Sequence, residues 1–267
     1  MSLKSALIAF GALASLIGAP AAALGASTTL ALSYDGRLYF IKVLDLQFQQ
    51  KIGDGAFDTG AQLRSYGVLA AFKHFDIKAS SQGRVDSQGP QPMAFTYVNH
   101  DGKRVRHVTV GWRPDAVVMN STPNFSDLGD PPASLEQRLA AADPLTQLMR
   151  LTVATPTRPC EGAPRFFDGK QLYELGFAGA QTAAPTDDQR ALGVTSVVSC
   201  TMRYNEIAGF KKKPPEKRNN GLTSPITITF GQVGAGGPWV LAEVRANTPL
   251  GPATIILRQA HISRGDG

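Results

Sequence analysis

The chain has 267 residues, 43% of them hydrophobic, with 27 Lys and Arg against 21 Asp and Glu for a formal net charge of +6. That length suits one large all-β domain or two small ones and is enough to bury a real core. The positive excess is mild, and in an exported chain it points to anionic envelope components rather than to nucleic acid.

Export is read from the first 25 residues. Lys4 precedes an apolar run from Ala6 to Ile17, Gly18-Ala19-Pro20 breaks any helix, and AAALGA supplies the small residues a signal peptidase needs. The expectation is a signal peptide over 1–25, cleaved near Ala23 to Ala26, and a single β-rich periplasmic domain over 26–267. The apolar run falls short of the roughly 20 residues that span a bilayer. No later stretch is long and apolar enough to do so, and no cysteine near the cleavage region suggests a lipid anchor. Two cysteines in an exported chain read as one disulfide, Cys160 to Cys200.

From Ser27 to Phe48, TTLALSY and RLYFIKVLDLQF predict a hairpin turning at Asp35-Gly36, with both faces of the second strand buried. Gly53, Asp54 and Gly55 end that run. Strands are expected over Gln62–Ala71 and Phe72–Ser80, then a loop rich in Gly, Gln and Ser with Pro90 and Pro92. Met93–Asn99 and Lys103–Trp112 form the next pair about Asp101-Gly102. In the latter Val108, Val110 and Trp112 share a face, and Arg104 and Arg106 carry the same parity into solvent. Val117–Asn120 adds a short strand. Closely spaced strands with glycine-rich turns point to an antiparallel sheet.

Helical material lies between Ser134 and Thr152. Ser134 and Gln137 form a capping box ahead of LEQRLAA, and Asp143-Pro144 reads as a cap plus first-turn proline for PLTQLMRL. Leu145, Leu148, Met149 and Thr152 would face the sheet, so the helix plugs or covers one side of it. Next, Asp168-Gly169 between RFF and KQLYEL is a strong hairpin signal, and Gly193–Ile207 is a long strand with Cys200 in its middle. A bond closing about 40 residues is worth roughly 4 kcal/mol on the chain-entropy estimate. Lys211-Lys212-Lys213 with Lys217 and Arg218 is loop by composition. Strands then follow over Ile226–Phe230, Trp239–Arg245 and Ala253–Ile262, the first with its threonines in solvent.

Asp143-Pro144-Leu145-Thr146, Cys160, FDGKQLYEL (Phe167 to Leu175), Cys200, Arg203-Tyr204 and Ile207-Ala208-Gly209-Phe210 occur in that order. This series resembles the proteobacterial periplasmic proteins carrying the domain of unknown function numbered 3108. The SSQGRV stretch (Ser80 to Val85) and the late strand pair fit the same layout. The resemblance implies an envelope protein with a strongly curved antiparallel sheet, a half-barrel or β-spiral similar to lipoprotein-carrier folds, with one or two short helices packed on it. It brings no catalytic or ligand residues with it.

Catalytic constellations are absent from the sequence: there is no G-x-S-x-G elbow, no H-E-x-x-H helix and no phosphate-binding loop. His100 and His107 read as solvent-facing hairpin residues, and Asp187-Asp188 as a solvated turn. No catalytic residue, metal site or cofactor is therefore expected. The charge feature that stands out is the set Lys211, Lys212, Lys213, Lys217 and Arg218, a candidate contact for anionic surfaces such as lipid head groups or acidic glycan. The function expected is non-enzymatic support of the cell envelope by binding a lipid, an envelope polymer or a periplasmic protein. An envelope hydrolase or transferase with a site assembled from distant residues, and a pure scaffold, are the alternatives.

Overall fold

A computed structural model describes residues 27–152, 159–212 and 226–265. The expected signal peptide and Lys213, Lys217 and Arg218 lie outside the described residues. The strands are β1 Ser27–Leu38, β2 Ile41–Gly53, β3 Ala56–Ser65, β4 Phe75–Asp86, β5 Gly89–Asp101, β6 Arg104–Arg113 and β7 Ala116–Thr122. They continue with β8 Arg165–Phe167, β9 Leu172–Ala183, β10 Val194–Ala208, β11 Ile226–Val233, β12 Trp239–Thr248 and β13 Gly251–Gly265. Short helices α1 Gly67–Phe72, α2 Leu135–Leu139, α3 Pro144–Thr152 and α4 Asp187–Ala191 interrupt them.

All thirteen strands join one antiparallel sheet in the order β7-β6-β5-β4-β3-β2-β1-β13-β12-β11-β10-β9-β8. Each strand twists relative to its neighbour, so a sheet this wide cannot stay open and flat. It curls, and one apolar core draws Leu30, Phe48, Phe95, Val110, Phe167, Leu172, Val240 and Leu257 from opposite parts of the sheet. The β1–β13 pairing sets Leu30 opposite Ile262, so the first and last strands meet in mid-sheet.

Strand register arranges the inner face in rows. One runs Val110–Phe95–Ser81–Thr59–Gln50–Leu30–Ile262 from β6 across to β13. The next is Val108–Tyr97–Ala79–Ala61–Phe48–Leu32–Ala260, and the one beyond is Arg106–Asn99–Ile77–Leu63–Leu46–Tyr34–Leu257. Helix α3 lies against β3, β4, β5, β8 and β12, over the first of these rows. The expected plug is therefore present, and it fills one end of the concave face.

The ladder is not closed, and the segment between β7 and β8 seals the seam. Arg138 of α2 donates Nη1 to the Val117 carbonyl of edge strand β7 at 3.3 Å. Ala142 pairs with the other edge, donating its N–H to the Arg165 carbonyl and accepting from the Phe167 N–H. These contacts occupy backbone groups on both edges that would otherwise invite strand addition.

Several expectations are corrected. Asp35-Gly36 lies inside β1, and Tyr39-Phe40 makes the turn, with Tyr39 at φ 54°. Gly36 is small because the Leu44 side chain approaches it: an added Cβ would sit 2.6 Å from Leu44 Cβ. Asp35 is held in the strand by Lys42 Nζ at 2.8 Å and Arg258 Nε at 2.9 Å. Residues 67–72 form a helix rather than strand, and the expected loop about Pro90 and Pro92 is paired β4 and β5. Pro92 pairs at a register shift beside Gly83, where a missing N–H is tolerated. Asp187 and Asp188 begin α4 under a Thr186–Gln189 capping box. Thr229 is buried, not wet, and its hydroxyl lies 2.9 Å from that of Ser199.

Candidate functional site

The concave face splits into a sealed half and a more open half. In the sealed half, Asp143 caps α3 and is completely buried. Its Oδ1 accepts from the N–H groups of Leu145 and Thr146 at 3.0 and 2.9 Å, and its Oδ2 from the hydroxyls of Thr146 and Ser81 at 2.6 and 2.9 Å. Burial pushes its carboxyl above the usual carboxylate range, against the pull of those four donors. Gln147 donates to the Arg165 carbonyl at 2.6 Å, and Arg150 Nε to the Pro90 carbonyl at 2.7 Å. These contacts anchor a polar helix in an apolar shell, where each unpaired group would be costly.

The open half begins at the row ending in Arg106 and Asn99. Ile77, Leu63 and Leu46 of that row are only half-buried. Arg106 and Asn99 face each other across β5 and β6, and Arg106 Nη1 and Asn99 Oδ1 are both buried without a hydrogen-bond partner. Contrary to expectation, Arg106 does not run into solvent: its guanidinium lies over the Phe125 ring, 4.6 Å from the centroid. The Lys170 ammonium sits 5.6 Å from the same ring and 3.0 Å from Asp127 Oδ1. Burial raises the Tyr97 phenol to about 12, with the nearby Asp168 carboxylate adding to the effect.

Asp168 belongs to the β8–β9 turn, where its Oδ1 accepts from the Lys170 and Gln171 N–H groups at 2.9 and 2.6 Å. Burial raises its carboxyl as well, opposed by those amides. The adjacent Gly169 packs its bare Cα onto Val108 and Val110 of β6. The hairpin tip thus reaches across the seam. Beside it, a small cleft of about 70 Å³ is lined by Met119, Leu128, Pro132, Ala133, Arg138, Phe167 and Lys170.

The cysteines are joined as expected, Cα–Cα 6.0 Å apart, inside a second core of Ile228, Phe230 and Trp239. Lys211 and Lys212 are exposed, with Lys212 Nζ 3.8 Å from Asp130 Oδ2. His100 and His107 are exposed on β5 and β6. Among the described residues no helix is long and apolar enough to cross a membrane, and no group of three or more His, Cys, Asp or Glu could hold a metal. Sequence reasoning missed the Arg106–Asn99 pair, because its signal, two polar residues continuing an apolar parity, looks like a strand running out into water.

The fold and this face define a class: an open, barrel-like antiparallel sheet curled about a helix, with a mixed apolar and cationic concave surface. No known family model matches the chain, and no curated protein does. Among solved structures it is similar to a beta-barrel-like protein of domain of unknown function DUF1849 from Brucella abortus. The two share 11% identity and a TM-score of 0.47 over 90% of this chain and 98% of that one.

Proposed function

We propose that this is a non-catalytic periplasmic protein that supports the cell envelope by holding an amphiphile on the open half of its concave face. The observation that carries the reading is the half-buried Arg106–Asn99 pair, whose Nη1 and Oδ1 atoms are buried without a hydrogen-bond partner at the end of the apolar row Ile77, Leu63, Leu46. An anionic head group that also bears a hydroxyl would accept from Arg106 and donate to Asn99, while its tail lies along the row. The periplasmic setting draws on the leader-like N-terminus, the disulfide and the motif resemblance to the family numbered 3108. The basic set beginning at Lys211 and Lys212 adds attraction for anionic partners. A hydrolase or transferase would need an acid or base that substrate can reach. Asp143 and Asp168, whose carboxyls are shifted upward, are instead used as a helix cap and a turn.

The test is native mass spectrometry of the mature protein, followed by titration with a fluorescent phosphatidylglycerol. Wild type should carry or take up one amphiphile. Arg106→Gln should bind at least about tenfold more weakly, the scale of one charge-assisted hydrogen bond, with an unchanged urea midpoint. Equal affinity in the variant, or a wild type that takes up nothing, removes the reading.

A further inference from the structure

One end of the sheet differs from the other. The β1–β2, β3–β4, β5–β6 and β12–β13 connections all emerge at the same end, and three contacts join them. Gly251 lies under the Tyr39 ring, Tyr66 N–H donates to the Val43 carbonyl, and Gly102 N–H donates to the His74 carbonyl. Tyr39, Phe40, Tyr66, Val68, Phe72 and Leu250 project from this rim, with Phe40 84%, Phe72 87% and Leu250 73% exposed. Helix α1, GVLAAF, has no polar side chain and no buried residue. Leu69 and Ala70 are half-buried against the sheet, whereas Val68 and Phe72 are exposed, an apolar face that the protein's own core does not cover.

Cations accompany the apolar tips. Exposed Lys73, Lys103 and Arg104 stand behind the apolar tips, with Asp101 beside them. Lys42, over the Tyr66 ring at 4.5 Å, is held by Asp35 and Asp45, so those acids are compensated. The opposite turns, Asp54-Gly55, Ser87-Gln88 after Asp86, and Pro114-Asp115, carry acids with exposed Lys51, Arg84 and Arg113 near them, and none of the exposed large apolar side chains. Apolar tips confined to one end with cations behind them match a negatively charged bilayer, into which loop tips insert while Lys and Arg meet the head groups.

We propose that this rim docks the protein on an anionic lipid bilayer, with Phe40 and Phe72 as the inserting side chains. The proposal stands apart from the amphiphile site, because the rim residues face outward from the sheet's end.

Co-sedimentation of the mature protein with mixed phosphatidylglycerol/phosphatidylcholine vesicles tests it. Wild type should bind, and added salt should weaken the binding. The double variant Phe40→Ser, Phe72→Ser should partition at least about tenfold less, since both side chains are surface-exposed and their loss leaves the fold intact. The triple variant Lys73→Gln, Lys103→Gln, Arg104→Gln should lose the preference for phosphatidylglycerol over pure phosphatidylcholine. Arg106→Gln should bind vesicles like wild type, which separates this result from the ligand test. No vesicle binding by wild type, or equal binding by the Phe40/Phe72 variant, overturns the proposal. So does a dimer that the same variant dissociates while vesicle binding is kept, since a second copy would then cover the rim.

Discussion

Asp143 shows how one buried carboxyl can be needed and costly at once. Four donors converge on it, yet it lies where no water reaches, and desolvation raises its folded-state value. The sign of the linkage follows. A raised folded value gives stability that is fully present below the ordinary carboxylate range and is lost as pH rises through the folded value. Asn at 143 keeps an acceptor for the helix amides but does not titrate. The advantage of wild type over Asp143→Asn in urea unfolding should therefore shrink as pH is raised from acid to neutral. An advantage that grows with pH would mean the ionised form is the better fit.

At the scale of elements, the β8–β9 hairpin depends on the absence of a side chain at its tip. Gly169 has φ 98°, and an added Cβ would stand 2.6 Å from Val108 Cγ1. Gly162 has φ 86° with nothing within 4 Å, so it isolates the backbone cost from the packing cost. Gly162→Ala should cost about 1 kcal/mol and Gly169→Ala about 3 kcal/mol, as strain plus overpacking, measured by urea denaturation. Equal costs would mean that the tip does not press on β6. Two of the Asp-Gly pairs teach the same lesson about legibility. Asp168-Gly169 turns where its flanking residues predict, whereas Asp35-Gly36 is pulled straight by partners on β2 and β13 that lie far away in sequence. Residues 67–72 are expected as strand and form a helix, because GVLAAF has neither helical nor alternating polarity to tell the two apart.

For the molecule as a whole, the disulfide links the region leaving α3 to the middle of β10, across a separation of 40 residues. That region precedes the short edge strand β8, whose outer side depends on Ala142 and Gln147. Replacing both cysteines by Ser should lower stability by roughly 2–4 kcal/mol, chiefly by freeing the unfolded chain, and should leave the β-sheet circular dichroism intact. A variant as stable as wild type in urea would show that the Phe230 and Trp239 core holds this region unaided. The seam explains why an unclosed sheet stays single: segment 123–142 covers both edges, and Asp130 and Gly209 exchange backbone hydrogen bonds with Phe210 and Pro131 across it.

Sequence alone determined the β class, the antiparallel pairing, the α2 and α3 caps and the Cys160–Cys200 partnership. Each of these rests on interactions between near neighbours or on a choice with one outcome, as with two cysteines. Tertiary structure decided where the sheet curls, which turns form, and that Arg106 ends in the interior beside Asn99. It also gathered Phe40, Phe72 and Leu250 onto one rim. Those outcomes depend on strands that meet across up to 238 residues, as at Ser27 and Gly265. Local pattern carries no record of such meetings.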